Sequence, residues 1–356
     1  TFIFVLATVG LLTSMFVSSS RYTAEIAFAK AVEHGQETGD LDNVIENLQK
    51  STRLNKIYDV YHRNLGRAYF LKAVELDKKE NVQTDEIQKY IDAALQSAMR
   101  ATELSPQNVL NWSVLGDISF ELLSVWEHGA KVAINAFAKS TELAPNNPKY
   151  YVSLGRTYLV QSTRMYQLTQ DEDEAKAKEA VAIRDEMLRR AEISFNKAIE
   201  VRPSHGSAHY YLAATYEAQG KISEAIARLE SVKNAYLRDV GVGLQLSLLY
   251  LRQGKNSEAQ SELERIRDLS PEFVNARFYL STVYQEAGRI DDAIAELNAI
   301  KELNPTLTEV IDKRISEIKV GVSKPLPEPI EESSLDAELQ VLEGDALISS
   351  TEEAVE

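Results

Sequence analysis

The 356-residue chain contains no cysteine, which removes disulfide frameworks, thiolate metal sites, iron–sulfur centres and thiol nucleophiles together and leaves the compartment unreadable from redox chemistry. Glycine and proline are scarce, at fifteen and nine, where average composition would give about 25 and about 18 (about 7% and 5%). Few turns and sheet corners can be built from that supply, and long helices suit it. Basic residues are outnumbered, 39 Lys and Arg against 54 Asp and Glu, for a formal net charge of −15. Nucleic-acid binding needs a basic footprint to displace phosphate counterions, so no nucleic-acid partner is expected.

Residues 1–20 lack charge altogether, and Phe2-Ile3-Phe4-Val5-Leu6 and Gly10-Leu11-Leu12 through Phe16-Val17 are almost unbroken apolar sequence. Some 20 helical residues at about 1.5 Å each reach about 30 Å, the thickness of a bilayer's hydrocarbon core. A secretory leader would begin with Met and a basic stretch and close on a small-residue cleavage site; the chain begins at Thr1 with neither. Residues 1–20 are therefore read as a truncated transmembrane helix, with the polar Thr8, Thr13 and Ser14 keeping a buried soluble helix as the alternative. Arg21 and Lys30 follow the segment, which under the positive-inside rule leans toward a cytoplasmic location for the remainder. The expected localisation is a membrane, the bacterial inner membrane.

An internal period sets the fold. Tyr216, Tyr250 and Tyr284 are 34 residues apart, and the same offset relates Gly220, Gly254 and Gly288, and again Ala225, Ala259 and Ala293. Leu212, Ala213 and Tyr216 recur at helical spacing, Gly220 stands where a left-handed C-cap is wanted, and Ser223-Glu224-Ala225 opens a second helix. The alanines would sit where two helices cross closely, and Pro271 and Pro305 close their units after the second helix. With Leu237 in place of such a proline, a softer boundary is expected there. This region closely resembles the tetratricopeptide repeat family, whose unit is a 34-residue helix-turn-helix. The resemblance implies an all-α, right-handed superhelical solenoid over residues 21–319.

Upstream the pattern is stretched. Tyr151, Leu154, Gly155 and Tyr158 match the first helix of a unit, with Ala191, Phe195 and Pro203 closing it; Trp112, Leu115 and Gly116 pair with Ala133, Phe137 and Pro145. Ser119 replaces the usual aromatic, which should loosen that pair. Leu65, Gly66, Tyr69 and Pro106 bracket an earlier unit with an insertion near residues 77–87, and residues 23–55 read as a degenerate first pair broken at Gly39-Asp40. The insertion at 161–190 has high helix propensity, and its acidic run Asp171 to Glu174 suits a helix start; a projecting helical hairpin with its tip near 169–173 is expected. Residues 308–319 should form a capping helix. From 320 to 356 the alternate prolines Pro325, Pro327 and Pro329 and ten acids against the single Lys324 indicate an acidic, disordered tail, in which Leu335, Leu339, Leu342 and Ala346 share one helical face.

Chemistry is harder to find. His205 and His209 are spaced to face one metal, but a third ligand is missing, and Gly241-x-Gly243 lacks the third glycine and the lysine of a phosphate loop. No catalytic residue, metal site or cofactor is assigned, and the chain is not expected to be an enzyme. A solenoid instead offers a concave surface built from successive first helices. In the last three units that surface is expected to present Tyr210 and Glu217, then Leu244, Leu248, Leu251 and Arg252, then Asn275, Phe278 and Gln285. An apolar centre flanked by aromatics suits an amphipathic helix or extended peptide, and a membrane-tethered scaffold binding protein or peptide partners is the expected function.

A second resemblance concerns residues 1–160. The apolar segment running into Arg21-Tyr22 and Glu25, then Asp59, Tyr61, Arg63-Asn64-Leu65, Asn111-Trp112 and Leu143-Ala144-Pro145-Asn146-Asn147-Pro148, resembles the C-terminal region of bacterial O-antigen ligase-like polytopic membrane proteins that carry these repeats. It implies an alternative role as the accessory domain of a glycan-transfer protein, whose own membrane portion would then be a partner.

Overall fold

The computed structural model describes residues 2–79, 83–124, 126, 128–169, 173–233 and 240–321, and among them the regular structure is helical throughout. The sequence expectations for the softer boundary at Leu237 and for the tail from 322 onward lie outside these residues. The chain divides into two compact units, with the division falling after Thr157.

In the first unit α1 (Phe2–Glu37) and α2 (Leu41–Leu54), α3 (Asp59–Asp77) and α4 (Thr84–Leu104), and α5 (Val109–Glu121) and α6 (Gly129–Leu143) form successive pairs, each helix touching the next. The expected break between α1 and α2 is present: Gly39 adopts φ +65°, and the Asp40 carboxylate accepts from the backbone N–H of Asp42 at 3.1 Å and Asn43 at 3.2 Å, capping the orphan donors of α2. The division expected at residue 20 is absent. One helix runs from Phe2 through the serines at 18–20 into the first pair, because nothing between Gly10 and Gly35 breaks a helix. Ala24, Phe28 and Ala31 of its second half are buried, whereas Phe4, Val5, Val9, Leu11, Leu12, Met15, Phe16 and Val17 of its first half are exposed. Among the described residues no helix is long and apolar enough to cross a membrane, so the span expected over residues 1–20 is not borne out. Its apolar run is interrupted by Thr8, Gly10, Thr13 and Ser14 and stops at Ser18.

The pair α5–α6 is close rather than loose. Ser119 is fully buried with its hydroxyl donating to the Leu115 carbonyl at 2.7 Å, and a Cβ on Gly129 would stand 3.0 Å from the Ser119 carbonyl oxygen. The small side chain admits the start of α6. Two other glycines mark close crossings: a Cβ on Gly66 would meet the Ala98 backbone at 3.0 Å, and one on Gly116 the Phe137 ring at 2.6 Å.

In the second unit the latter part of α7 (Pro148–Leu168) meets α8 (Glu174–Val201), with Arg190 over the Tyr158 ring at 5.8 Å and Arg184 over the Tyr166 ring at 5.5 Å. Residues 170–172, where the tip of the projecting hairpin was expected, lie outside the described residues, and Asp173 caps α8 through Ala175 N–H at 3.0 Å. Then follow α9 (Gly206–Ala218), α10 (Ile222–Lys233), α11 (Val240–Arg252), α12 (Asn256–Leu269), α13 (Val274–Glu286), α14 (Ile290–Leu303) and the expected capping helix α15 (Thr308–Lys319). Ala225, Ala259 and Ala293 have no exposed surface. Gly220, Gly254 and Gly288 take φ of +76°, +71° and +75°, and the residue after each donates its N–H to the tyrosine carbonyl four positions before that glycine, at 2.8, 2.9 and 2.8 Å. That bond closes a Schellman-type C-cap.

The period extends to polar contacts no motif specifies. Tyr250 donates to Glu230 at 2.7 Å and Tyr284 to Glu264 at 2.9 Å. Lys233 pairs with Glu262 at 2.5 Å and Arg267 with Glu296 at 2.9 Å. Each contact recurs one unit later with both partners shifted by 34.

Candidate protein-interaction surface

Four first helices begin with one contact made by different residues. His62 Nε2 lies 3.1 Å from the Lys56 carbonyl, Trp112 Nε1 donates to Pro106 at 2.9 Å, His209 Nε2 lies 2.8 Å from the Pro203 carbonyl, and Arg277 Nε donates to Pro271 at 2.8 Å. The acceptor is always the carbonyl six residues earlier. Each ring or guanidinium N–H thus ties its helix to the preceding turn, which accounts for the histidines: burial holds His62 and His209 below the ordinary imidazole range, and the neutral ring donates its Nε2 hydrogen. Among the described residues no group of three or more His, Asp or Glu is placed to hold a metal ion. In α11 the same position is Gly243, and the carboxylate of Glu262 and guanidinium of Arg265 fill the vacated space.

The residues expected on the inner face of the second unit differ in how far the fold leaves them open. Glu217 accepts from Gln245 at 2.5 Å and pairs with Arg252, tying α9 to α11. Leu244, Leu248 and Leu251 are half-buried and pack on a core cluster containing Phe278, Tyr279, Leu280 and Ile311. Tyr210 is half-buried, edge-on to Tyr211 at 5.2 Å. By contrast Phe278 and Asn275 are buried, at 6% and 7% exposure, and Gln285 accepts from Arg314 of α15 at 2.8 Å. The structure therefore brings the three leucines and the Glu217–Arg252 pair onto a partly open face and withdraws Phe278 and Asn275 into the core.

A second surface, in the first unit, was not anticipated. Asp117 of α5 faces Lys149 and Arg156 of α7 and Arg67 of α3, and Ser113 donates to it at 3.4 Å. Burial pushes its carboxyl above the usual carboxylate range against the pull of those cations. Arg156 lies over the Phe120 ring at 4.8 Å. Arg63 is buried, 3.5 Å from Asn111 Oδ1, and the Asn108 and Asn111 amides donate to Asp59 at 2.9 and 2.8 Å. One signal was available in the sequence: Arg67, Asp117 and Arg156 each follow a Leu-Gly pair, so one register places all three on the same face.

Sequence models of the tetratricopeptide repeat match residues 194–227 and 250–310. Those two stretches carry tetratricopeptide repeats. A crystal structure of a tetratricopeptide repeat protein from Parabacteroides merdae is similar over 84% of this chain and 99% of its own, with TM-score 0.54 and 17% identity; at that identity the likeness is one of fold. YrrB, a tetratricopeptide repeat protein described as having an unusual peptide-binding site, matches over 62% of this chain and 98% of its own, with TM-score 0.40 and 16% identity. MamA from Desulfovibrio magneticus RS-1 matches over 55% and 96%, with TM-score 0.40 and 18% identity. No curated protein matches the chain. None of these findings supports the resemblance to O-antigen ligase-like proteins, whose cited motifs fall in the first unit and serve packing there: Tyr61 is fully buried and donates to Glu25, and Asn111 holds the Ala101 carbonyl at 2.9 Å. The repeats support a protein-interaction scaffold.

Proposed function

We propose that the chain is a non-catalytic scaffold that takes a protein or peptide partner on the inner face of its second unit, with an apolar ridge as the principal contact. The observation that carries this reading is the incomplete burial of Leu244, Leu248 and Leu251 beside the exposed Arg252. Half-covered leucines retain apolar area that a partner's apolar side chains would remove from water, at about 25 cal/mol per Å². Glu217 and Arg252 flank the ridge with one charge of each sign, which suits an amphipathic helix of mixed charge. Selection from a displayed peptide library tests this: apolar, amphipathic sequences should be enriched by the native chain and lost with L244S/L248S at unchanged helix content. Equal enrichment by the variant rejects the ridge.

The same proposal includes residence at a membrane, through the first half of α1. Seven of the eight exposed apolar side chains from Phe4 to Val17 fall within about 160° of the helix circumference at about 100° per residue, and an exposed apolar face of that width suits a helix lying in a lipid interface. The Thr8 and Thr13 hydroxyls return to the Phe4 and Val9 carbonyls at 2.7 and 2.8 Å, which satisfies both without water.

A further inference from the structure

Two sets of leucines in this chain share one spacing. Leu244, Leu248 and Leu251 of α11 stand at i, i+4 and i+7, and so do Leu335, Leu339 and Leu342 beyond the last described residue. At helical geometry, about 100° and about 1.5 Å per residue, each set falls within about 60° of a helix circumference and extends about 10 Å along it. The first set is half-buried. It packs on an apolar cluster that continues through α13 and α14 to Ile311, Ile315 and Ile318 of α15, and Arg314 of α15 donates to Gln285, an inner-face position of α13. The last helix thus covers the inner face next to the ridge, and the chain leaves that helix at Gly321, within the same unit.

The stretch from Gly321 to Leu335 holds Pro325, Pro327 and Pro329, which favour an extended chain of about 3.1 Å per residue, or about 40 Å in all. From α15 across α13 to α11, at about 8–10 Å per pair of packed helices, is about half that distance. We propose that residues 335–346 dock on the ridge of Leu244, Leu248 and Leu251 as an amphipathic helix, so that the tail competes with a peptide partner for the same face. The inference rests on the reading of that ridge as a partner surface and names an occupant from the same chain. Asp336, Glu338, Glu343 and Asp345 flank the leucine face of the segment on both sides and stay in water when the leucines are covered. A tethered segment meets the ridge at an effective concentration of order mM. Even a contact too weak to hold the free peptide therefore keeps the ridge mostly occupied.

Absence of cysteine permits a direct test on the full chain. Cysteines introduced as S257C, at the exposed start of α12 beside the ridge, and Q340C carry two nitroxide labels, and pulsed electron resonance reads the distance between them. A short-distance population is expected, unchanged by dilution with unlabelled chain. It should fall about five-fold in L335S/L339S/L342S, which leaves every described helix unaltered in sequence, and likewise in L244S/L248S. It should persist in about 1 M salt, where the Debye length is about 3 Å. A distribution indifferent to the tail leucines overturns the proposal, as does a short distance that vanishes on dilution or in high salt. In the displayed-peptide selection, L335S/L339S/L342S should enrich apolar sequences about five-fold over the native chain, because its ridge is vacant. Equal enrichment by the two chains rejects the tail as occupant and leaves the ridge as a partner face. Enrichment by neither chain rejects the ridge reading, and this inference with it.

Discussion

Gly243 of α11 and Glu262 of α12 stand so close that a Cβ on the glycine would lie 3.0 Å from the carboxylate Oε1. That carboxylate is 2% exposed and bonded to Lys233 and Arg265 at 2.5 Å each. The glycine makes room for a buried charge that bridges consecutive second helices. Gly243→Ala would press on the Arg265 guanidinium, Glu262 and Ile266 together, at an expected cost of about 1–3 kcal/mol by thermal unfolding. An unchanged midpoint would mean that Arg265 swings aside freely.

His209 carries the same contact as Trp112, and the difference between them is titration. Because burial holds the folded-state pKa of His209 below the ordinary imidazole value, the unfolded chain takes up a proton first as pH falls. The stability linked to this group is complete above about pH 6.5 and is lost as pH drops toward the lower folded value. His209→Trp keeps an N–H for the Pro203 carbonyl and removes the titration. The melting temperature between pH 7.5 and 5.5, roughly the window of imidazole titration, should decline less steeply in the variant; equal slopes would refute the assignment.

Phe278 and Leu248 were both expected on the inner faces of consecutive first helices, yet one is buried and the other half-buried. Phe278→Ala should cost about 3–5 kcal/mol, and Leu248→Ala less than the about 2–5 kcal/mol of a fully buried leucine. Substitution of Phe278 therefore reports on folding, and the binding test rests on Leu244 and Leu248. Comparable destabilisation by both would show that Leu248 is core and weaken the ridge as a docking face.

Much of the fold was legible because the repeat writes one physical requirement in three columns. Tyrosine supplies the carbonyl for the cap, glycine supplies the positive φ, and alanine permits the close crossing; all three recur every 34 residues and behave alike. The surface was harder to read for two reasons. Register identifies a first-helix face, but not how far the neighbouring elements cover it: Asn275 and Phe278 carry the right register and are buried, and α15 engages Gln285 through Arg314. The brace at the start of each first helix is equally opaque, since histidine, tryptophan and arginine share only a side-chain N–H of suitable reach. Likewise, the boundary expected at residue 20 came from a change in polarity, to which a continuous helical backbone is indifferent.

The exposed half of α1 predicts association with lipid. In co-sedimentation with vesicles of phosphatidylcholine and phosphatidylglycerol, the full chain should partition with the lipid, and L12S/F16S should weaken this by at least about ten-fold, since each large apolar side chain contributes about 1.5–3 kcal/mol when buried. Retention of the variant would show that the interaction lies elsewhere.

Gly220, Gly254 and Gly288 offer a test of how evenly the repeats share the load. Each has positive φ, and a Cβ at any of them would meet nothing within 4 Å, so alanine there introduces backbone strain without a clash. The expected loss is about 1–2 kcal/mol per site, smaller for asparagine, which tolerates the left-handed region. The Gly254 turn is bonded to both its neighbours, through Gln253 to Ser223 at 2.9 Å and Asn256 to Glu286 at 3.1 Å, whereas the turns at Gly220 and Gly288 stand two units apart, with Lys221 over Tyr216 and Arg289 over Tyr284. Losses in the double variant G220A/G288A should accordingly add within about 0.5 kcal/mol if the unit unfolds in one step. In a stack where each pair touches mainly its neighbours, G288A would instead release α13–α15 ahead of the rest. Hydrogen exchange decides between these outcomes: uniform acceleration across α9–α14 supports a single cooperative unit, whereas acceleration confined to α13 and α14 shows that the final pair opens alone.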